Sequence, residues 1–302
     1  MIPAKAVRRS DSEEEKQVVK RTHPYDVNVV FEKRVYEADG FKLPYRLYIP
    51  KDYDCGERYP LLVFLHGAGE RGSDNERQIS VAVQKMFDDP ASPVYDSIVV
   101  CPQCPENSQW VYTPWAAGNY STANVPESRE IECLCAVLDE IRDFCNVDDD
   151  RIYVPGLSMG GFGTWDLLAR HGARFAAGMP ICGGGDPSYA KLLKRIPIRT
   201  FHGSDDAAVP PRGTRLMYAA IRREGGENIA YTEFDGCGHN VWDMVYSDRE
   251  NLEWLFSQSR EERRLRAERN AKLKKAAAAG GAGALISALL IIIGVKKYKK
   301  NK

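Results

Sequence analysis

The chain has no net charge, with 42 Lys and Arg set against 42 Asp and Glu in 302 residues. No global field therefore recruits nucleic acid or an acidic substrate. Histidine is scarce, five residues in all, so any chemistry that needs an imidazole has few sources. Cysteine lacks a pattern: the eight residues are spread along the chain, unlike a short disulfide frame. Cys101 and Cys104 make one Cys-x-x-Cys, but no second pair or His-x-His partner completes a zinc ligand set. No metal or cofactor is implied, and the thiols read as free and mostly buried in a reducing compartment. The opening "MIPAKAVRRSDSEEEKQ" lacks the apolar core of a secretory signal. No internal repeat interrupts residues 28–258.

One long uncharged run is present. Residues 276–295 read "AAAAGGAGALISALLIIIGV", with lysines crowding both flanks at Lys272, Lys274 and Lys275 and at Lys296, Lys297, Lys299 and Lys300. Its length suits a bilayer-spanning helix. The basic stretch 260–275 then places the main domain on the cytoplasmic side. The expected organisation is a polar arm over 1–27, a folded domain over 28–258, a basic helical linker over 259–275, a single-pass transmembrane helix over 276–295 and a basic tail over 296–302.

Within the folded part, residues 29–36 and 41–48 are strand-like around the turn signal "EADGF" and predict a hairpin. "YPLLVFLHG" and "SIVVCPQ" are continuous apolar runs, as expected of strands buried on both faces. "SREIECLCAVLDEIRDFC" has helical spacing behind a capping serine at Ser128. "RIYVPG", "FAAGMPICGG", "IPIRTFHG" and "NIAYTEFDG" read as further strands, "GTWDLLARHG" and residues 211–224 as helices, and 249–275 as one charged helix. Strands alternating with helices predict a mainly parallel sheet covered on both faces, with the hairpin adding antiparallel strands at one edge. Active sites of such sheets lie beyond the carboxyl ends of the strands.

Gly156-Leu157-Ser158-Met159-Gly160 falls between a strand and a helix. A serine there turns sharply, the two glycines let strand and helix approach, and the helix N-terminus favours developing negative charge. Its hydroxyl needs a base. His23 lies in the polar arm, His171 ends a helix, and His66 and His202 end apolar strands as packed histidines would. His239, in "FDGCGHNVWD", is the histidine in a polar loop after the last core strand. A carboxylate must orient the imidazole, and "TFHGSDDAAVP" offers Asp205 and Asp206 at a strand end. The order Ser, Asp, His is that of α/β-hydrolases. Oxyanion donors are expected from the backbone N–H of Met159 and of Ala68, in "FLHGAGERG". Trp110, Trp115 and Trp242 are candidates either for the cleft wall or for the core.

The blocks "LLVFLHGAGERGSDN", "PQCPENSQW", "GLSMGGFGTWDLLARH", "HGSDDAAVP" and "GCGHNVWD" resemble those of bacterial α/β-hydrolase esterases, the "predicted peptidase" group related to polyhydroxybutyrate-depolymerase-like and feruloyl or acetylxylan esterases. The likeness covers roughly residues 29–256. It implies a cofactor-free serine esterase with Ser158 as nucleophile, His239 as base and Asp206 as acid, Asp205 being the second choice. The substrates implied are carboxylic esters, acylated or feruloylated carbohydrate among them. It also makes Cys101 and Cys104 part of a strand-end block. Two features depart from the group: it is frequently exported, yet no export signal is visible, and the apolar tail lies outside the shared domain. The rival readings are a serine peptidase of the same fold and a catalytically silent, membrane-tethered binding module. The oligomeric state is left open.

Overall fold

The structure is a computed structural model that describes residues 31–79 and 81–278. The chain divides into two compact units, Met1–Ser257 and Gln258–Lys302.

In the first unit, β1 (Glu32–Ala38) and β2 (Phe41–Tyr48) form the expected hairpin. Asp39 and Gly40 close it with φ of 51° and 76°, the double left-handed turn that matches strand twist and that Asp-Gly favours. β1 covers Glu32–Ala38, ending two residues beyond the expected strand, and residues 29 and 30 of that strand lie outside the described residues. The chain continues through β3 (Tyr59–Val63), α1 (Val81–Met86), β4 (Ile98–Pro102), α2 (Arg129–Phe144), β5 (Val147–Leu157), α3 (Met159–His171), β6 (Ala177–Ile181), α4 (Ala190–Leu193), β7 (Ile198–Gly203), α5 (Arg212–Arg223), β8 (Ile229–Phe234), α6 (Trp242–Ser247) and α7 (Arg249–Phe256).

The eight strands make one sheet in the order β1-β2-β4-β3-β5-β6-β7-β8. β1–β2 and β2–β4 are antiparallel and the remaining pairs are parallel. The central strands alternate between two apolar layers: Leu61, Val63, Val100 and Val154 face one, Leu62, Val99 and Tyr153 the other. That double burial explains their unbroken apolar runs. Ser128 Oγ accepts the Ile131 N–H at 3.2 Å and caps α2.

The charged helix expected over 249–275 is two helices. α7 ends at Phe256, with Leu252 and Leu255 buried against the domain. In the second unit, Ser259 starts α8 (Arg260–Ala278): its Oγ accepts the Glu262 N–H at 3.4 Å and its carbonyl accepts the Arg263 N–H at 3.1 Å. A serine so placed ends one helix path and nucleates the next.

The single-pass membrane localisation is overturned. Among the described residues no helix is long and apolar enough to cross a membrane. α8 is rich in Arg, Lys and Glu as far as Lys275, and the apolar stretch expected to span the bilayer lies from residue 279 onward outside the described residues. The polar arm over 1–27 and the basic tail over 296–302 also lie outside them.

Candidate active site

Ser158 sits between β5 and α3 with φ 54° and ψ −118°. A non-glycine residue in that region is strained, so its surroundings must hold it there. Its N–H donates to the Ile181 carbonyl at 2.8 Å and its carbonyl accepts the Phe162 N–H at 3.1 Å. The crossing is tight: a Cβ on Gly160 would stand 2.0 Å from the Leu65 carbonyl oxygen, and one on Gly156 would stand 2.4 Å from the Gly160 oxygen. Only glycine at both positions lets α3 leave the elbow against the end of β3.

The loops beyond β7 and β8 bring two groups to this serine. His239 Nε2 lies 2.8 Å from Ser158 Oγ, and its Nδ1 lies 2.6 Å from Asp206 Oδ2. A carboxylate accepts and cannot donate, so Nδ1 carries the hydrogen and Nε2 accepts the serine hydroxyl. Asp206 Oδ1 accepts the Ala208 and Val209 N–H groups at 2.9 and 2.8 Å. The Asp206 carboxylate is wholly buried, whereas the His239 ring keeps 26% of its surface exposed. The site thus pairs a sheltered carboxylate with an imidazole that solvent can reach. Asp205 is exposed and accepts from Ser204 Oγ at 3.0 Å. Between the two aspartates, the fold brings Asp206 to the imidazole.

Two of the other described histidines lie apart from this relay. His171 pairs with Glu127 at 2.5 Å. His66 is buried: its Nε2 accepts the Cys104 N–H at 3.0 Å, leaving Nδ1–H to donate to the Gly67 carbonyl at 2.6 Å. Burial pushes its imidazole from the ordinary 6.5 down to about 4. The unfolded chain therefore takes up a proton that the folded chain refuses. The stability held by this site is full above pH 6.5, falls as pH drops through that window, and levels off below about 4. At 1.36 kcal/mol per pH unit the loss is about 3 kcal/mol. The stability gap between the natural chain and His66→Gln, measured by urea unfolding, should narrow by about that amount between pH 7 and pH 4. A gap independent of pH would remove this account of His66.

His202 is fully buried at the end of β7, as its apolar flank suggests. Its Nε2 also lies 3.1 Å from Asp206 Oδ2, a contact the flank does not foretell. Cys182, immediately after β6 with φ 49°, donates its thiol to the His239 carbonyl at 3.2 Å. Burial and the Asp206 charge push that thiol up to about 12. Cys182, His202 and Asp206 lie close enough to share an ion. A protonated thiol and a carboxylate already engaged by two imidazoles make a poor donor set for one.

Ala68 opens a short 3-10 turn after β3, and Met159 opens α3 directly after the serine. A Cβ on Gly67 would lie 3.6 Å from Ser158 Cβ, so the loop carrying Ala68 runs beside the elbow. Arg71 Nε donates to the Ala68 carbonyl at 2.9 Å and fixes that peptide. Trp110 belongs to the core: it is wholly buried and its Nε1–H donates to the His66 carbonyl at 3.1 Å. Trp242 meets the His239 ring edge to face at 5.1 Å, and Trp115 lies under the Arg71 guanidinium at 5.7 Å.

The parallel sheet, the strained serine after β5 and the loops that follow β7 and β8 define an α/β-hydrolase fold. No family model matches the chain. The solved structure of a thermostable esterase is similar at 35% identity and a TM-score of 0.67, over 76% of this chain and 63% of that one. A ferulic acid esterase matches at 19% identity and TM-score 0.58, over 75% of this chain and 97% of that one. The dipeptidyl peptidase 4 of Porphyromonas gingivalis matches at 17% and 0.56, over 76% of this chain and 36% of that one. At such identities the last two likenesses show the fold alone. A bifunctional acetylxylan esterase/xylanase of Neocallimastix patriciarum is 26% identical over 96 residues, 32% of this chain and 14% of that protein. The chain spans less than two thirds of the thermostable esterase and of this curated relative.

Proposed function

We propose that the protein is a serine hydrolase of carboxylic esters and works through an acyl-enzyme on Ser158. The observation that carries this reading is the unbroken relay Ser158 Oγ, His239, Asp206 at 2.8 and 2.6 Å on a strained elbow. His239 Nε2 takes the hydroxyl proton as Oγ attacks the ester carbonyl. The imidazolium then gives that proton to the leaving alcohol, and a water repeats both steps to free the acid. Asp206 holds the imidazole in its Nδ1–H form and stabilises its charge without becoming protonated. The Met159 and Ala68 N–H groups receive the oxyanion; each donor of this kind contributes about 3–4 kcal/mol to lowering the barrier.

The ester-hydrolase reading draws on the thermostable esterase; the acetylxylan esterase/xylanase supports acylated carbohydrate as the substrate class, with feruloylated carbohydrate a candidate from the sequence blocks. Amide cleavage is the rival on the same fold, represented by the dipeptidyl peptidase. A panel of acetyl and feruloyl aryl esters set beside peptide anilides separates the two. Turnover of the esters at a kcat/KM at least about 100-fold above the anilides is expected, from the greater difficulty of expelling an amine. A fluorophosphonate should add one phosphonyl group to the intact protein, at Ser158 by peptide mapping. Anilides cleaved as fast as esters favour the peptidase; no label and no turnover identify a silent module.

A further inference from the structure

Asp206 Oδ2 is shared. Besides His239 Nδ1 at 2.6 Å it faces His202 Nε2 at 3.1 Å, and the same Nε2 lies 2.9 Å from the Val209 carbonyl. Both neighbours are acceptors, so a bare nitrogen there would meet only lone pairs. Nε2 must carry a hydrogen. At the other side of the ring, Nδ1 lies 2.7 Å from Thr214 Oγ1, and that hydroxyl also reaches the Gly183 carbonyl at 2.6 Å. If the hydroxyl proton points to Nδ1, the ring is neutral with its hydrogen on Nε2. If it points to Gly183, Nδ1 carries a second hydrogen and Nε2 still keeps the first. Burial lowers the affinity of this ring for that second proton, which favours the neutral form. In both arrangements Asp206 receives an N–H from His202.

We infer that His202 is a positioning residue for the reaction, a second imidazole donor that fixes the triad carboxylate against His239. This rests on the triad reading given above. Asp206 and Val209 belong to one turn, which follows β7 and leads into α5. His202, on β7, binds both ends of that turn, and through Thr214 it binds α5 and the Gly183 backbone. The backbone donors from Ala208 and Val209 hold Oδ1 alone. Among the described residues, His202 and His239 are the two imidazoles bonded to Oδ2, and His202 is held besides by Val209 on Nε2 and Thr214 on Nδ1. Without it Oδ2 loses the imidazole donor that is itself tied to Val209 and Thr214, and the 2.6 Å contact on which the His239 tautomer depends is held less firmly.

His202→Leu and His202→Gln separate positioning from packing. Leucine fills similar space with no donor, whereas the glutamine amide has two N–H groups, one for each acceptor. In the leucine variant kcat should fall about 10- to 100-fold, the worth of one hydrogen bond to a charged group. KM for the aryl ester should stay within about twofold, since the lost contact acts on the chemical step. The glutamine variant should recover most of the loss. In the natural full-length chain, two-bond 15N–1H spectra should show His202 with a hydrogen on Nε2. That measurement needs no variant to fold and no turnover. Finding His202 with its hydrogen on Nδ1 alone overturns the inference. So does a folded leucine variant with natural kcat, or a folded glutamine variant that loses as much as leucine. If the natural chain neither turns over esters nor takes the phosphonate label, the esterase reading fails, and the spectrum alone decides whether His202 donates to Asp206.

Discussion

Ser158→Ala should lower hydrolysis of a short-chain aryl ester by about 10⁴- to 10⁶-fold, with the protein still folded. The two halves of this expectation have separate grounds. The fold does not lean on the hydroxyl: the elbow is held by the Ser158 N–H on Ile181 and by the Phe162 N–H on the Ser158 carbonyl, both backbone bonds that alanine keeps. Oγ makes its recorded bond to His239, and one such bond contributes about 1 kcal/mol net. Thermal melts should therefore move by only a few degrees. Turnover leans on the hydroxyl entirely, because no acyl-enzyme forms without it. What survives is the catalysis that binding and the oxyanion donors provide by themselves. The same logic makes the double variant Ser158→Ala/His239→Ala no slower than either single one, since a base without its nucleophile has nothing to activate. Substantial ester turnover in the folded alanine variant would mean that another group attacks the substrate.

Much of the scaffold is readable in the sequence because its core strands are covered on both faces. "YPLLVFLHG" becomes β3 with Leu61, Leu62 and Val63 fully buried, and a strand so placed has no alternating face to confuse the pattern. The Asp39-Gly40 pair is equally legible, since its left-handed backbone is what those residue types supply. Readings fail where tertiary contacts decide. α6 (Trp242–Ser247) has only six residues, too few to be stable alone; burial of Val245 and Tyr246 holds it. Ser257–Ser259 is a short uncharged stretch with no Gly or Pro to stop a helix, so the end of α7 depends on the apolar contacts of Leu252 and Leu255.

The site divides in the same way. Ser158 and His239 stand out because the chemistry limits the residue types and the chain order limits the positions. Asp205 and Asp206 are chemically identical neighbours, and what separates them is a turn. Asp206 folds inward, where the Ala208 and Val209 amides and two imidazoles converge, while Asp205 stays at the surface. That turn also brings Val209 back over His202, so a histidine readable as packed core also bonds Asp206. The signal available is the spacing itself: His202 and Asp206 are four residues apart across a strand end, close enough for the chain to double back.

Asp206→Asn should cost about 10⁴-fold in kcat, and the geometry dictates how. Every donor around this carboxylate has its direction fixed. Oδ1 faces the Ala208 and Val209 N–H groups, which cannot give up their hydrogens. The asparagine carbonyl must therefore take the Oδ1 position, and its NH₂ must take that of Oδ2. There it points hydrogens at His239 Nδ1 and His202 Nε2, both of which donate in the natural chain. His239 can meet it only by moving its own hydrogen to Nε2, the nitrogen that must stay bare to receive the Ser158 proton. The ring is then in place and in the wrong tautomer. His202 has no such exit, because Val209 still demands a hydrogen on Nε2. The variant should thus lose stability as well, by about 1–3 kcal/mol for a buried polar contact left unsatisfied. Asp205→Asn, altering an exposed neighbour bonded to Ser204, should change neither. Urea unfolding and single-turnover kinetics on both variants test the assignment. Equal losses in the two, or a loss confined to Asp205→Asn, would mean that Asp206 is not the acid.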